Sequence, residues 1–311
     1  ASLGLLTLSQ TIRPAGAADA AIGGRAMVRD IPIAPSSSQQ SDRLLIALTG
    51  ATAPPAGRSL RSYLFNGREG GLYVGALPVT GGAINATFDF PFQNLIAGYD
   101  TFQIMQEAVL FSATVPIGAL NHLRTALVYA SDTPSTVGYA VGLLSQAEIL
   151  ALHAGFARDA VDANNLGEAK MHVEHVLNTL YGAADSRYGD YNNDGLTDNP
   201  GDGYGLLPYR TKLGETLPLA ANTSDATQHI KDRVAEVQVT LNNIDTWTPL
   251  LIARAEEILN AATAGAAQTP VTQLVAFATR IFSGADLKGN GQVEPIANEG
   301  GAQTAYQSSQ R

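Results

Sequence analysis

Cysteine is absent from the 311-residue chain. That excludes disulfides, thiolate metal sites, cysteine nucleophiles and covalently attached c-type haem. Charge is scarce too: 15% of residues are Asp, Glu, Lys or Arg, against roughly 25% in ordinary soluble chains. Only four of the 19 basic residues are lysines, and the net charge is −9. No basic run or basic helical stripe exists, which argues against nucleic acid and against charge-driven binding to anionic lipid. Apart from Leu3–Leu8, interrupted by Gly4 and Thr7, no strongly apolar run stands out, and none approaches the roughly 18 residues that would suggest a membrane span. A glycine-rich phosphate loop, a GxSxG elbow and a kinase signature are all missing. Paired carboxylates for glycoside hydrolysis are not recognisable without geometry.

With so little charge, solubility rests on Ser, Thr, Asn, Gln and Gly. That balance is commoner in exported proteins than in cytosolic ones. The first residues, Ala1-Ser2-Leu3, carry no methionine, as expected of a processed or trimmed chain. The sequence therefore reads as extracytoplasmic, secreted or at the cell surface, with no transmembrane segment.

The hydropathy pattern divides the chain into an α+β arrangement of two parts, residues 1–115 and 116–311. In the first part the period is two. Ile84, Ala86, Phe88 and Phe90 alternate with Asn85, Thr87 and Asp89, as in a strand with one buried face. Leu72–Leu77 forms a preceding strand, and Thr80-Gly81-Gly82 between them is a hairpin signal. Arg43–Leu48, Arg61–Phe65 and Phe102–Ser112 read as further strands, separated by Pro35–Ser38 and Ala53–Gly57. The set predicts an N-terminal β-sandwich. After Pro116 the period becomes helical. Leu120–Tyr129 is a short helix; Ser145-Gln146-Ala147-Glu148 and Asn165-Leu166-Gly167-Glu168 read as capping boxes, the second opening a helix to Tyr181 that Gly182 ends. Asp225–Ala264 is a long helical stretch with a break or kink expected near Thr246–Pro249, and Thr269-Pro270 starts another helix closed by Gly284. These helices predict a C-terminal bundle carrying a long acidic loop over residues 185–210.

Within that loop, Asp190, Asn192, Asp194 and Asp198 stand at positions 1, 3, 5 and 9, and Gly195 stands at position 6. Calcium takes six to eight oxygens at about 2.3–2.6 Å, and this alternation aims side-chain oxygens at one centre. The segment resembles the calcium loop of EF-hands and dockerin-type loops. The resemblance covers about 13 residues of the chain. It implies calcium as cofactor, with Asp190, Asn192, Asp194 and Asp198 as side-chain ligands and Leu196 offering its carbonyl. At position 12, where a bidentate acid belongs, stands Gly201, so Asp202 is the candidate closing ligand. A second, incomplete loop runs Asp286, Asn290, Gln292, Glu294, with Lys288 at its third position.

Four of the five histidines fall in the first helices: His122, His153, His172 and His175. His172 and His175, three apart, share a helix face. Joined by His153, and helped by His122 or Glu168, they are candidates for a transition-metal or haem site; the alternative is ordinary boundary histidines bonded to their neighbours. Asn85-Ala86-Thr87 and Asn222-Thr223-Ser224 match the glycosylation acceptor pattern. The leading functional expectation is a calcium-binding structural protein of the cell surface or extracellular space. Its strand-like Ser2–Ile12 segment would pair in its own sheet or add to a neighbouring subunit, giving self-association into a filament or layer. The alternatives are a metalloenzyme or redox protein built on the histidines, and an extracytoplasmic ligand-binding component with its site between the two parts.

Overall fold

The computed structural model describes residues 22–31, 41–67, 69–91, 93–106 and 109–310. Ser2–Ile12 and Pro35–Ser38 lie outside them. The described chain forms two compact units. One holds the residues up to Arg124 with Ala220–Lys231 and Gln310; the other holds Thr125–Leu219 and Asp232–Ser309.

The first unit contains two small antiparallel sheets. The strands are β1 (Gly23–Arg29), β2 (Arg43–Thr49), β3 (Leu60–Asn66), β4 (Glu69–Leu77), β5 (Ala83–Asp89), β6 (Thr101–Met105) and β7 (Val109–Thr114), and the one-turn helix α1 (Leu95–Gly98) precedes β6. One sheet has the order β1-β2-β5, the other β4-β3-β6-β7. Alternation decides which side chains go inside. Leu44, Ile46 and Leu48 of β2 are buried, and Leu48 faces the buried Ile84 of β5. On the outward face Arg43 grips Asp89 across the pair with two bonds of 2.6 and 2.8 Å.

Two strand connections differ from those the sequence predicts. The turn at Thr80–Ala83 exists, with reciprocal backbone bonds of 2.9 and 3.0 Å and left-handed Gly81 and Gly82. It does not close a hairpin of β4 on β5, because β4 pairs with β3 and β5 with β2. Pro78 follows β4 directly and cannot donate to a continuing ladder, so the chain leaves one sheet there and enters the other. Phe102–Ser112 is likewise not one strand but the antiparallel pair β6 and β7.

The helices are α2 (Ile117–Leu127), α3 (Tyr139–Asp162), α4 (Leu166–Tyr181), α5 (Leu206–Ala221), α6 (Gln228–Leu259), α7 (Ala264–Ser283) and α8 (Ala302–Ser309). In the second unit α3 packs against α4, α7 and α8. Its buried face is mostly small (Ala140, Leu143, Ala147, Leu150, Ala154, Ala157), which lets neighbouring helices approach closely. Gly142 on this face receives the Tyr209 ring; a Cβ there would lie 2.1 Å from the ring. By length and composition α3 could cross a bilayer, and among the described residues no other helix meets that test.

Helix ends follow cap chemistry more closely than proline positions. α4 begins and ends where its caps predict: Asn165 Oδ1 accepts from Glu168 N, and Gly182 at φ 80° stops the helix. The Ser145–Glu148 box instead lies inside α3, where the apolar stripe begins at Tyr139 and overrides it. Thr263 caps α7 and accepts from Ala266 N, so α7 starts before Pro270. α6 runs through Pro249 as one helix, so the stretch is not broken there. There Thr248 Oγ1 donates back to the Ile244 carbonyl at 2.8 Å.

Candidate functional site

The histidine and acidic-loop candidates of the second unit meet at α4. Two polar side chains on its buried flank, Glu174 and Asn178, lie one turn apart and are 1% and 0% exposed. Buried polar groups must be satisfied, and here the long α4–α5 loop satisfies them. Glu174 Oε2 accepts from Tyr191 N at 2.8 Å and Asn192 N at 3.1 Å, and Oε1 accepts from Asp198 N at 2.8 Å. Asn178 Nδ2 donates to the carbonyls of Gly189 and Asp198, each at 2.9 Å, while its Oδ1 accepts from Gly189 N at 3.0 Å. The loop ends are zipped together beyond these anchors: Ala183 N donates to Gly203 O at 2.8 Å. Gly182 and Gly205 sit back to back with positive φ, and a Cβ on Gly182 would fall 1.9 Å from the Tyr204 carbonyl oxygen. No side chain larger than hydrogen fits that closure.

Held by its backbone, the loop turns two of its acids onto its own amides. Asp190 Oδ1 accepts from Asn193 N at 2.6 Å and Oδ2 from Gly195 N at 2.9 Å. Asp194 Oδ1 accepts from Leu196 N at 2.8 Å, and its Oδ2 accepts from Asn192 Nδ2 at 3.0 Å. Asp190, Asn192 and Asp194 therefore bond within one tight turn, which Asn193 and Gly195 permit by taking positive φ. Leu196 is 61% exposed, so only its backbone serves the loop. Asp198 is tethered through its backbone to Glu174 and Asn178. Asp202 has other partners: its Oδ2 accepts from the Tyr209 hydroxyl at 2.6 Å and its Oδ1 from Tyr204 N at 2.9 Å. None of the ion pairs found among the described residues involves Asp190, Asp194, Asp198 or Asp202.

The shorter loop after α7 repeats part of this pattern. Asp286 accepts from Asn290 N at 3.2 Å and Gly291 N at 2.7 Å, and Asn290 Oδ1 accepts from Gln292 N at 2.9 Å. These amides hold the Asp286 carboxyl below its usual pKa, the Gly291 N–H most of all. Glu294 N donates to Oε1 of the buried Glu299 at 2.8 Å, just as Asp198 N donates to Glu174. The difference is the cation: Lys288 Nζ pairs with the Glu294 carboxylate inside the loop. Gln292 is exposed.

The histidines converge. His153 comes from α3, and His172 and His175 come from α4. Nδ1 of His153 lies 3.2 Å from Nδ1 of His172 and 3.0 Å from Nδ1 of His175, and one nitrogen from each ring falls within 4.8 Å of the others. The Phe156 ring meets His153 edge-on and lies tilted against His172, with centroids 5.4 and 5.3 Å away. Burial, then the neighbouring His175 and His172, push the His153 pKa down to about 4. His172 is lowered by burial and by His175, against the pull of Glu168. His175 is lowered by burial against the pull of Asp198, Glu174 and Asp194, so the acidic loop and the histidines act on one another. His122 belongs to the first unit, and Glu168 Oε2 accepts from Asn165 Nδ2 at the α4 N-terminus.

No protein-family model matches the sequence, and no curated protein matches it. Sequence reasoning missed Glu174 and Asn178. Their signal is readable afterwards: two polar residues at i and i+4 beside the Val173, Leu177 and Leu180 stripe, where a helix facing only core would carry apolar residues.

Proposed function

We propose that this chain is a calcium-binding structural protein acting outside the cytoplasm, and that the ion in the Asp190–Asp198 turn braces the α4–α5 connection against the helices. One observation carries the reading. The buried Glu174 gives its carboxylate to three loop amides, which holds in place a turn carrying Asp190, Asn192 and Asp194 with no ion pair at either aspartate among the described residues. Clustered aspartates without a basic partner repel one another, and a divalent ion at their centre reverses that sign. Asp190, Asn192, Asp194 and the Leu196 carbonyl supply the first ligands, with Asp198 at the ninth position, often filled through water. Asp202 serves the site indirectly, by tying the far end of the loop to Tyr209.

The finer fold reading is that the two sheets face one another as a sandwich. Its support is a shared apolar cavity lined by Ala26, Val28 and Leu44 from one sheet and Leu64 and Phe102 from the other. The low charge supports the extracytoplasmic location, and the strand-like Ser2–Ile12 segment supports self-association by strand addition. Thermal unfolding tests the calcium reading. The calcium-loaded chain melts higher than the chelated chain, and Asp190→Ala with Asp194→Ala removes that difference. Equal melting temperatures with and without calcium contradict the reading.

A further inference from the structure

We infer that His153, His172 and His175 form a second metal centre, selective for an imidazole-preferring first-row ion of the zinc class and leaving at least one coordination position open. This centre takes none of its ligands from the calcium loop.

Geometry comes first. A zinc ion bound by imidazole at about 2.0–2.1 Å in a tetrahedral site holds its ligand atoms roughly 3.3 Å apart. His153 Nδ1 stands 3.2 and 3.0 Å from its two counterparts, a spacing for ligands on one ion. Without an ion the arrangement is frustrated. A neutral imidazole nitrogen either donates one hydrogen or offers one lone pair. His153 Nδ1 faces two ring nitrogens at once, so at least one of the two contacts lacks a well-directed hydrogen bond. A cation accepts all three lone pairs.

The surroundings fit the same role. Nitrogen donors favour zinc-class ions, whereas calcium demands oxygen. Haem fits poorly, since its axial ligands sit on opposite faces of the ring with the macrocycle between them, and nitrogens 3.0 Å apart leave no such gap. The α3–α4 hairpin fixes the three rings: Asn165 caps α4, and Glu174, between His172 and His175, is locked to the loop. Phe156, 40% exposed, covers one side against His153 and His172. Asp194 and Asp198 lend negative charge from the His175 side, which favours a cation. Three protein ligands leave a fourth tetrahedral position for water, the pattern of an open site.

The test uses the full chain stripped of metal, with cobalt(II) as the spectroscopic probe for zinc. The expected result is one equivalent of cobalt, a visible d–d absorption typical of nitrogen-ligated low-coordinate cobalt, and bleaching of that band by zinc but not by calcium. His172→Gln and His175→Gln each weaken cobalt binding by more than the roughly 10–100-fold that loss of an outer-shell partner costs. Asp190→Ala with Asp194→Ala retains the band, which separates this centre from the calcium loop. Absence of the band, or its survival in both histidine variants, overturns the inference. Should the variants misfold, zinc-dependent protection of histidines from diethyl pyrocarbonate in the unaltered chain decides the matter. Protection of His153, His172 and His175, with His122 and His229 still reactive, supports the centre. Uniform reactivity with and without zinc refutes it.

Discussion

At the residue scale, Glu174 does more for the acidic loop than any of the aspartates the loop displays. Its side chain is 1% exposed and takes three backbone amides. Glu174→Ala leaves those amides without their acceptor, and each unsatisfied group costs about 1–3 kcal/mol. With three amides affected, we expect urea unfolding to report a loss of about 3 kcal/mol or more by that reasoning, together with loss of the calcium response; a loss confined to a few tenths would contradict the anchoring role. Asp132 shows the electrostatics of the same unit. The Tyr139 hydroxyl, 2.7 Å from its Oδ1, and to a smaller degree Lys212 hold its carboxyl below the usual range. A carboxyl depressed on folding contributes stability above its unfolded pKa and loses that contribution as pH falls through the folded one. The unfolding midpoint should therefore fall below about pH 4, the unfolded carboxylate range, and fall less steeply in Asp132→Asn. Identical acid profiles would show that the bond carries no net stabilisation.

Among the elements, α4 is the one on which both candidate centres depend. Asn165→Ala removes its N-cap bond, which costs about 1 kcal/mol at such positions. Differential scanning calorimetry should show a lower melting temperature, and an unchanged one would mean that packing against α3 alone sets this helix start. The element scale also explains what the sequence could disclose. α4 was legible at both ends because Asn165 and Gly182 carry the cap chemistry themselves. β5 was legible because Ile84, Ala86 and Phe88 alternate with exposed polar residues. The partner of β5 was not legible: the Gly81-Gly82 turn has the local chemistry of a hairpin, and the choice of β2 over β4 is made by long-range pairing. The β6–β7 reversal was missed because Met105-Gln106 carries no proline or glycine. Of the candidate centres, His172 and His175 were legible as a pair from their spacing. Their meeting with His153 depends on how α3 and α4 pack, which no local pattern encodes. Glu174 was hidden for the opposite reason, since an acid on a helix reads by default as solvent-facing.

On the scale of the whole molecule, the calcium reading makes the second unit conditional on its ion. A ligand that binds only the folded state at a hundred times its dissociation constant adds about 2.7 kcal/mol, a large share of an ordinary domain's stability. Self-association is a separate claim with its own test. Deleting Ala1–Arg13 should abolish assemblies seen by analytical ultracentrifugation, and unchanged assemblies would rule out strand addition. The most direct measurement of the central claim is isothermal titration of the metal-stripped full chain with calcium, in parallel with Asp190→Ala/Asp194→Ala and with His175→Gln. The account predicts saturable calcium binding in the unaltered chain and in His175→Gln, and none at that site in the double aspartate variant. Calcium heats absent from the unaltered chain, or undiminished in the double variant, would contradict it.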